Sequence, residues 1–153
     1  MDLILWRHAE AEVPCPGQDD LERSLTPKGE RQARRMAEWL NQRLPESTRI
    51  LVSPALRTQQ TAKALERRFK TVAALAPEGG VDELLAAARW PKSSEPVLIV
   101  GHQPTLGIVA ARLLAGADLP WSVKKAAVWW LGQRDREGTE QVTLLAMQGP
   151  DKI

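Results

Sequence analysis

One cysteine, Cys15, stands in a chain of 153 residues, so an intramolecular disulfide framework is impossible and a reducing compartment is the natural expectation. Long apolar runs are missing as well, and no stretch approaches the length that crosses a bilayer. Met1 and Asp2 lead directly into Leu3-Ile4-Leu5-Trp6, with no basic leader and no small-residue cleavage site, which makes a cytoplasmic location the expectation. Histidine is equally sparse. Two histidines without a His-x-x-x-His pattern are too few for a metal site. No repeat, low-complexity tract or Gly/Ser-rich linker divides the chain, so residues 1–153 read as a single domain.

What is present suits a soluble globular protein with a real core, since 43% of the residues are apolar. Lysine and arginine number 21 against 19 acidic residues, a formal charge of +2. The basic residues sit mainly in 27–43 and 57–70 and are interleaved with acids. Glu30 and Arg34, and likewise Glu66 and Lys70, stand one helical turn apart and are expected to form weak ion pairs on solvated helix faces. A nucleic-acid surface would instead cluster its basic residues, with aromatics between them, so no nucleic-acid partner is expected. An anionic protein partner stays open.

Hydrophobic patterning alternates strands with helices. Residues 3–7 form a short apolar strand, and 27–43 a half-buried helix marked by Ala33, Met36, Ala37 and Leu40, with Thr26 as N-cap and Pro27 at the first helical position. Ile50-Leu51-Val52 is a second strand, and Ser53-Pro54 repeats the start signal for a helix reaching about Phe69. Residues 72–75 suggest a third strand, followed by a helix near 81–89. Val97-Leu98-Ile99-Val100 is a buried strand, and Pro104 opens a helix to about Ala115. Strands near 126–131 and 141–147 form a hairpin around Arg136-Glu137-Gly138. The predicted architecture is a three-layer α/β/α sandwich whose mostly parallel sheet carries an antiparallel edge.

In such sheets ligands bind beyond the carboxyl ends of the strands. Both histidines fall there: His8 follows Leu3-Ile4-Leu5-Trp6-Arg7, and His102 follows Val97-Leu98-Ile99-Val100-Gly101. A third strand ends at Ser53, and the first turn of the next helix presents Arg57. If these strands are neighbours, two imidazoles and two guanidiniums share one crevice, and their mutual repulsion calls for an anion such as phosphate or sulfate. A neutral imidazole is an effective nucleophile near neutral pH. Arginine matches phosphate oxygens bidentately, so Arg7, Arg57 and a protonated His102 suit the equatorial oxygens of a transferring phosphoryl group. The helix after Pro104 adds a backbone N–H, expected from Gln103, and Gly101 allows close backbone approach.

Competing features carry less. A cysteine phosphatase needs Cys-x-x-x-x-x-Arg, but the sixth residue after Cys15 is Leu21 and Arg23 comes too late, so Cys15 reads as an incidental loop thiol. Of the six tryptophans, Trp6 and Trp39 read as packing residues, and one of the adjacent pair Trp129-Trp130 should face away from the main core layer. Trp121 with Lys124-Lys125 is the one patch kept as a candidate partner surface.

These motifs also carry a family likeness. Leu5-Trp6-Arg7-His8-Ala9-Glu10 resembles the Arg-His-Gly signature of the histidine phosphatase superfamily, with alanine in place of glycine. Residues 53–62 resemble its second arginine motif, and Gly101-His102 its distal Gly-His pair. The stretch from Asp20 to Gly29 resembles the Asp-x-x-Arg-x-Leu-Thr-x-x-Gly segment of the small bacterial SixA-type branch, a likeness covering about residues 3–115. The resemblance implies a phosphoglycerate mutase-like fold and a phosphatase working through phosphorylated His8, with Arg7, Arg57 and His102 beside it and neither metal nor organic cofactor. Larger members use a carboxylate as general acid. Here Glu78, Asp82 and Glu83 lie in the corresponding stretch, with Glu78 favoured.

The short stretch between Arg57 and His102 leaves little room for a lid, and an open pocket admits a side chain on a folded partner. Phosphoimidazole is also a better leaving group than an alkoxide, which lessens the need for an acid. The expected substrate is therefore phosphohistidine on a protein of a two-component or sugar-transport relay, acted on by a monomer. The alternatives are a phosphomonoesterase for small esters or nucleotides, and a non-catalytic phosphate-binding module.

Overall fold

Side-chain alternation in the strands decides which residues meet which helix layer. In β1 (Asp2–Arg7), Ile4 and Trp6 enter one core, while Leu3 and Leu5 enter the other. β2 (Arg49–Val52) sends Ile50 and Val52 to the first and Leu51 to the second, and β4 (Val97–Gly101) divides Leu98 and Val100 from Val97 and Ile99 in the same way. These strands are buried on both faces, which is why they read as continuous apolar runs.

The structure is a computed structural model that describes residues 1–136 and 138–153. With β3 (Lys70–Thr71), β5 (Val128–Arg136) and β6 (Thr139–Gln148), the strands form a six-stranded sheet ordered β3-β2-β4-β1-β5-β6. The first four are parallel; β5 and β6 add the antiparallel edge. Helices α1 (Pro27–Asn41) and α2 (Leu56–Lys63) cover the first core through Met36, Leu40 and Ala62. Helices α3 (Val81–Ala88) and α4 (Thr105–Ala115) cover the second through Leu84, Leu106 and Val109. The sandwich is the one expected.

Local signals explain most of the boundaries. Thr26 caps α1 by accepting from Gly29 N–H at 2.9 Å, with Pro27 in the first turn. Ser53 does not cap α2. That helix starts at Leu56, and the Ser53 hydroxyl turns toward the sheet's carboxyl edge. α2 also ends at Lys63 and not near Phe69, because Glu66 takes a left-handed φ of 56° that no helix continues through. Glu66 and Lys70 therefore share no helix face, and the ion pair expected between them is absent from the described residues. Glu30 and Arg34 do lie on α1, but they also form no ion pair within 4.0 Å.

The third strand lies at Lys70–Thr71, two residues ahead of the expected 72–75, where Ala73–Leu75 instead makes a 3-10 turn. Leu75 is buried from that turn, so its apolar signal belongs to packing and not to pairing. The terminal hairpin forms with longer strands than expected, and Glu137 of its turn lies outside the described residues. Trp130 enters the first core and donates to Asp2 Oδ2 at 3.0 Å, whereas Trp129 packs on the second layer against Trp121, ring centroids 6.1 Å apart.

α4 approaches the chain before β5 unusually closely. A Cβ on Gly107 would collide with the Trp121 carbonyl oxygen. Gln103 bridges the same junction, accepting from Gly107 N–H at 2.9 Å and donating to the Trp121 carbonyl at 2.9 Å. Gly107→Ala is expected to cost about 1–3 kcal/mol, the usual penalty for overpacking. A urea midpoint lowered at unchanged m-value checks it.

Candidate active site

Strand order brings the sequence-distant motifs together. β2, β4 and β1 are adjacent and parallel, so Ser53, His102 and His8 all emerge at one edge. The pairing continues one residue beyond the strands, with His8 N–H on the Gly101 carbonyl and Ser53 N–H on the Val100 carbonyl, both at 3.1 Å. Arg57 projects into the same place from the first turn of α2. The result is a cavity of about 200 Å³ walled by Arg7, His8, Arg57 and His102, with Arg23 and Lys125 at its margin and no carboxylate in its lining.

His8 is 7% exposed, and its Nδ1 lies 2.7 Å from the Ala9 carbonyl oxygen. A carbonyl only accepts, so Nδ1 carries the proton and Nε2 keeps its lone pair. Ala9 is itself fixed, because its N–H donates to Thr61 Oγ1 at 3.1 Å. Alanine in place of the usual glycine fits without strain: Ala9 is fully buried and its backbone makes both contacts.

His102 faces His8 with ring centroids 5.4 Å apart. Its Nε2 lies 2.7 Å from Ser53 Oγ, which accepts from Ala55 N–H at 3.2 Å. The other ring nitrogen, Nδ1, is buried and without a protein partner. Arg7 Nε and Arg57 Nε are buried and unpartnered too. Buried donors without acceptors are costly unless a ligand supplies one.

The guanidiniums are braced from behind. Arg7 Nη1 donates to the Val123 carbonyl at 3.0 Å. Arg57 donates to both the carbonyl and the carboxylate of Asp20, at 2.8 and 3.0 Å. Asp20 also holds Arg23 Nε at 2.9 Å, so one carboxylate ties two arginines of the cavity. Its partial burial works to raise its pKa, but the hydrogen bonds and charges of Arg57 and Arg23 prevail and hold the group below the ordinary carboxylate value.

Burial, followed by the charges of Arg57 and Arg7, lowers His8 to about 4, although its hydrogen bond to Ala9 works the other way. Burial and then the neighbouring His8 and Arg57 lower His102 to about 3. His102 is thus neutral in the free site, contrary to the protonated ring expected from sequence. Burial first, and then the crowding of cations that attracts an anion, disfavours the proton on both imidazoles.

Gln103 lines the cavity, but its side chain is committed to the junction with Gly107 and Trp121. Glu78 is exposed and lies outside the lining, where Pro77 takes the adjoining position. Asp82 is held by Arg112. Asp20, Arg23, Ser53 and Lys125 were not among the expected site residues; only the Asp-x-x-Arg spacing signalled the first two. Cys15 is exposed in a loop away from the cavity lining.

The chain belongs to the histidine phosphatase superfamily, whose branch 1 family model matches residues 3–84. Within it, similarity places the chain in the SixA-type branch. It is 32% identical over 129 residues to phosphohistidine phosphatase SixA of Escherichia coli strain K12, covering 78% of each chain. To a SixA homolog of Haemophilus influenzae it is 33% identical over 128 residues, covering 74% of this chain and 77% of the relative. Among solved structures, the protein histidine phosphatase SixA complexed with tungstate matches with a TM-score of 0.78 at 27% identity, over 99% of this chain and 98% of that one. The fold is accordingly phosphoglycerate mutase-like.

Both histidines bind a proton less readily in the folded chain than at the ordinary value of 6.5. Between these values the unfolded chain holds more protons, so their contribution to stability is complete above pH 6.5 and is lost as pH falls through about 4 and then about 3. Urea stability should therefore decline on acidification below pH 6.5, and His8→Asn and His102→Asn should each flatten that decline. An unaltered slope in both variants contradicts the assignment.

Proposed function

We propose that this protein removes phosphate from phosphohistidine on a partner protein, working as a cytoplasmic monomer through a phosphorylated His8. The observation that carries the reading is the hydrogen bond from His8 Nδ1 to the Ala9 carbonyl, because it leaves Nε2 unprotonated and directed to nucleophilic work. The lowered pKa keeps the ring in that state across the neutral range. The SixA relatives, named for phosphohistidine, and the tungstate held by one of them support the choice of an oxyanion substrate.

In the first step His8 Nε2 attacks phosphorus and the substrate's N–P bond breaks. The departing imidazole leaves neutral when its other ring nitrogen carries a proton. Arg7, Arg57 and His102 meet the equatorial oxygens, with the Gln103 backbone N–H at the start of α4 beside them. In the second step water attacks the phosphoryl group, inorganic phosphate leaves and neutral His8 is restored. No metal ion or organic cofactor enters either step. For a poorer leaving group the acid would come from Glu78, which stands beside Pro77 of the lining but must turn inward to reach the cavity, and the open cavity is compatible with small phosphoesters as secondary substrates.

Rapid quench with labelled phosphohistidine should give an acid-labile, base-stable protein label that vanishes in His8→Ala. A label that persists without His8 sinks the mechanism, and phosphate binding without any label points to a non-catalytic module. Arg57→Ala should lower kcat/KM by about 100-fold or more, as loss of a transition-state donor does. Ester hydrolysis that is strong in the wild type and abolished in Glu78→Gln would favour the phosphomonoesterase reading.

A further inference from the structure

The segment from Val123 to Ala127 is bound to the reactive strand and to His8 at Val123, Ala126 and Ala127. Arg7 Nη1 donates to the Val123 carbonyl and Arg7 N–H to the Ala127 carbonyl, at 3.0 and 3.1 Å. Ala126 N–H donates to the His8 carbonyl at 3.0 Å, and Trp6 Nε1 to the Ala126 carbonyl at 2.9 Å. Ala126 has a φ of 62°, so the chain turns sharply here and leaves Lys124 and Lys125 exposed. Lys125 lines the reactive cavity. It also lines a second, open groove of about 380 Å³ on the far side of the same turn.

That groove is chemically unlike the reactive cavity. Ala127, Trp129 and Met147 give it an apolar floor, and Met147 is 58% exposed, far more than a core methionine. Lys124, Lys125 and Lys152 stand around it against one carboxylate, Asp151. Beyond Pro150 and Asp151 the basic surface continues to Arg31 and Arg35 of α1, and Arg35 donates to the Pro150 carbonyl at 3.1 Å.

We propose that this groove is the docking site for the body of the phosphohistidine-bearing protein, which presents an apolar side chain flanked by carboxylates while its phosphoimidazole occupies the reactive cavity. The inference rests on the substrate reading above and deepens it. Continuity carries it first: Lys125 belongs to both cavities, so a surface seated on the groove reaches His8 across a single turn. Charge carries it second, since a lysine rim around exposed apolar side chains complements an acidic patch with an apolar centre. A free phosphorylated amino acid fills only the reactive cavity and gains nothing from the groove.

The test compares two substrates in two variants, Met147→Asp and the double variant Lys124→Glu/Lys152→Glu. One substrate is a histidine-containing phosphotransfer domain phosphorylated with phosphoramidate; the other is free phosphohistidine. Both variants should lower kcat/KM for the phosphorylated domain by about tenfold or more, mainly through KM, as disrupted charge and apolar contacts at an interface do. Hydrolysis of free phosphohistidine and the melting temperature should stay at wild-type values. Equal losses on both substrates, or no loss on the phosphorylated domain, overturn the proposal. Wild-type protein that hydrolyses small phosphoesters but neither phosphohistidine substrate overturns the substrate reading itself, a different result from groove independence.

Discussion

The 2.7 Å contact between His8 Nδ1 and the Ala9 carbonyl depends on a chain of constraints that reaches across the sheet. Ala9 is held by Thr61 of α2, and the His8 backbone is clasped by Gly101 on one side and Ala126 on the other. The imidazole is consequently oriented by three stretches of sequence besides its own before any substrate arrives. Such preorganisation matters because a nucleophile that must reorient during reaction loses much of its advantage.

Around that ring, the site sets electrostatics against solvation. Three guanidiniums, the Lys125 ammonium and two imidazoles line a cavity that holds no carboxylate, and burial of the imidazoles withdraws the water that would screen them. The imidazoles yield, because they can release a proton near neutrality while arginine cannot. The compromise yields a neutral nucleophile next to fixed positive donors.

Much of this was legible from the linear chain because three buried strands are short, uniformly apolar and followed at once by chemistry-bearing residues. Leu3–Trp6, Ile50–Val52 and Val97–Val100 could hardly be anything else, and their ends named His8, Arg57 and His102. The failures arose where local signals served tertiary ends. Ser53-Pro54 looks like a helix cap, yet the serine hydroxyl is taken by His102, forty-nine positions away. Val72–Leu75 looks like a strand, but the edge of a sheet can be made by exposed, polar Lys70 and Thr71 while Leu75 packs from a turn. Lys125 read as part of a partner patch and not of the cavity, because nothing nearby in sequence indicates that its turn is sewn to β1. The Asp20 and Arg23 pair was visible as a spacing, but its work depends on the 3-10 turn Asp20–Glu22 lying over α2.

Asp20 has a bearing on turnover that geometry alone does not announce. By occupying both terminal nitrogens of Arg57 from outside the cavity, it leaves only part of that guanidinium for an incoming oxyanion. Any anion in the cavity must share Arg57 with a carboxylate already seated there. The carboxylate thus offsets part of the positive charge that Arg57 brings to the cavity, so the field an oxyanion meets is set from outside the lining as well as within it.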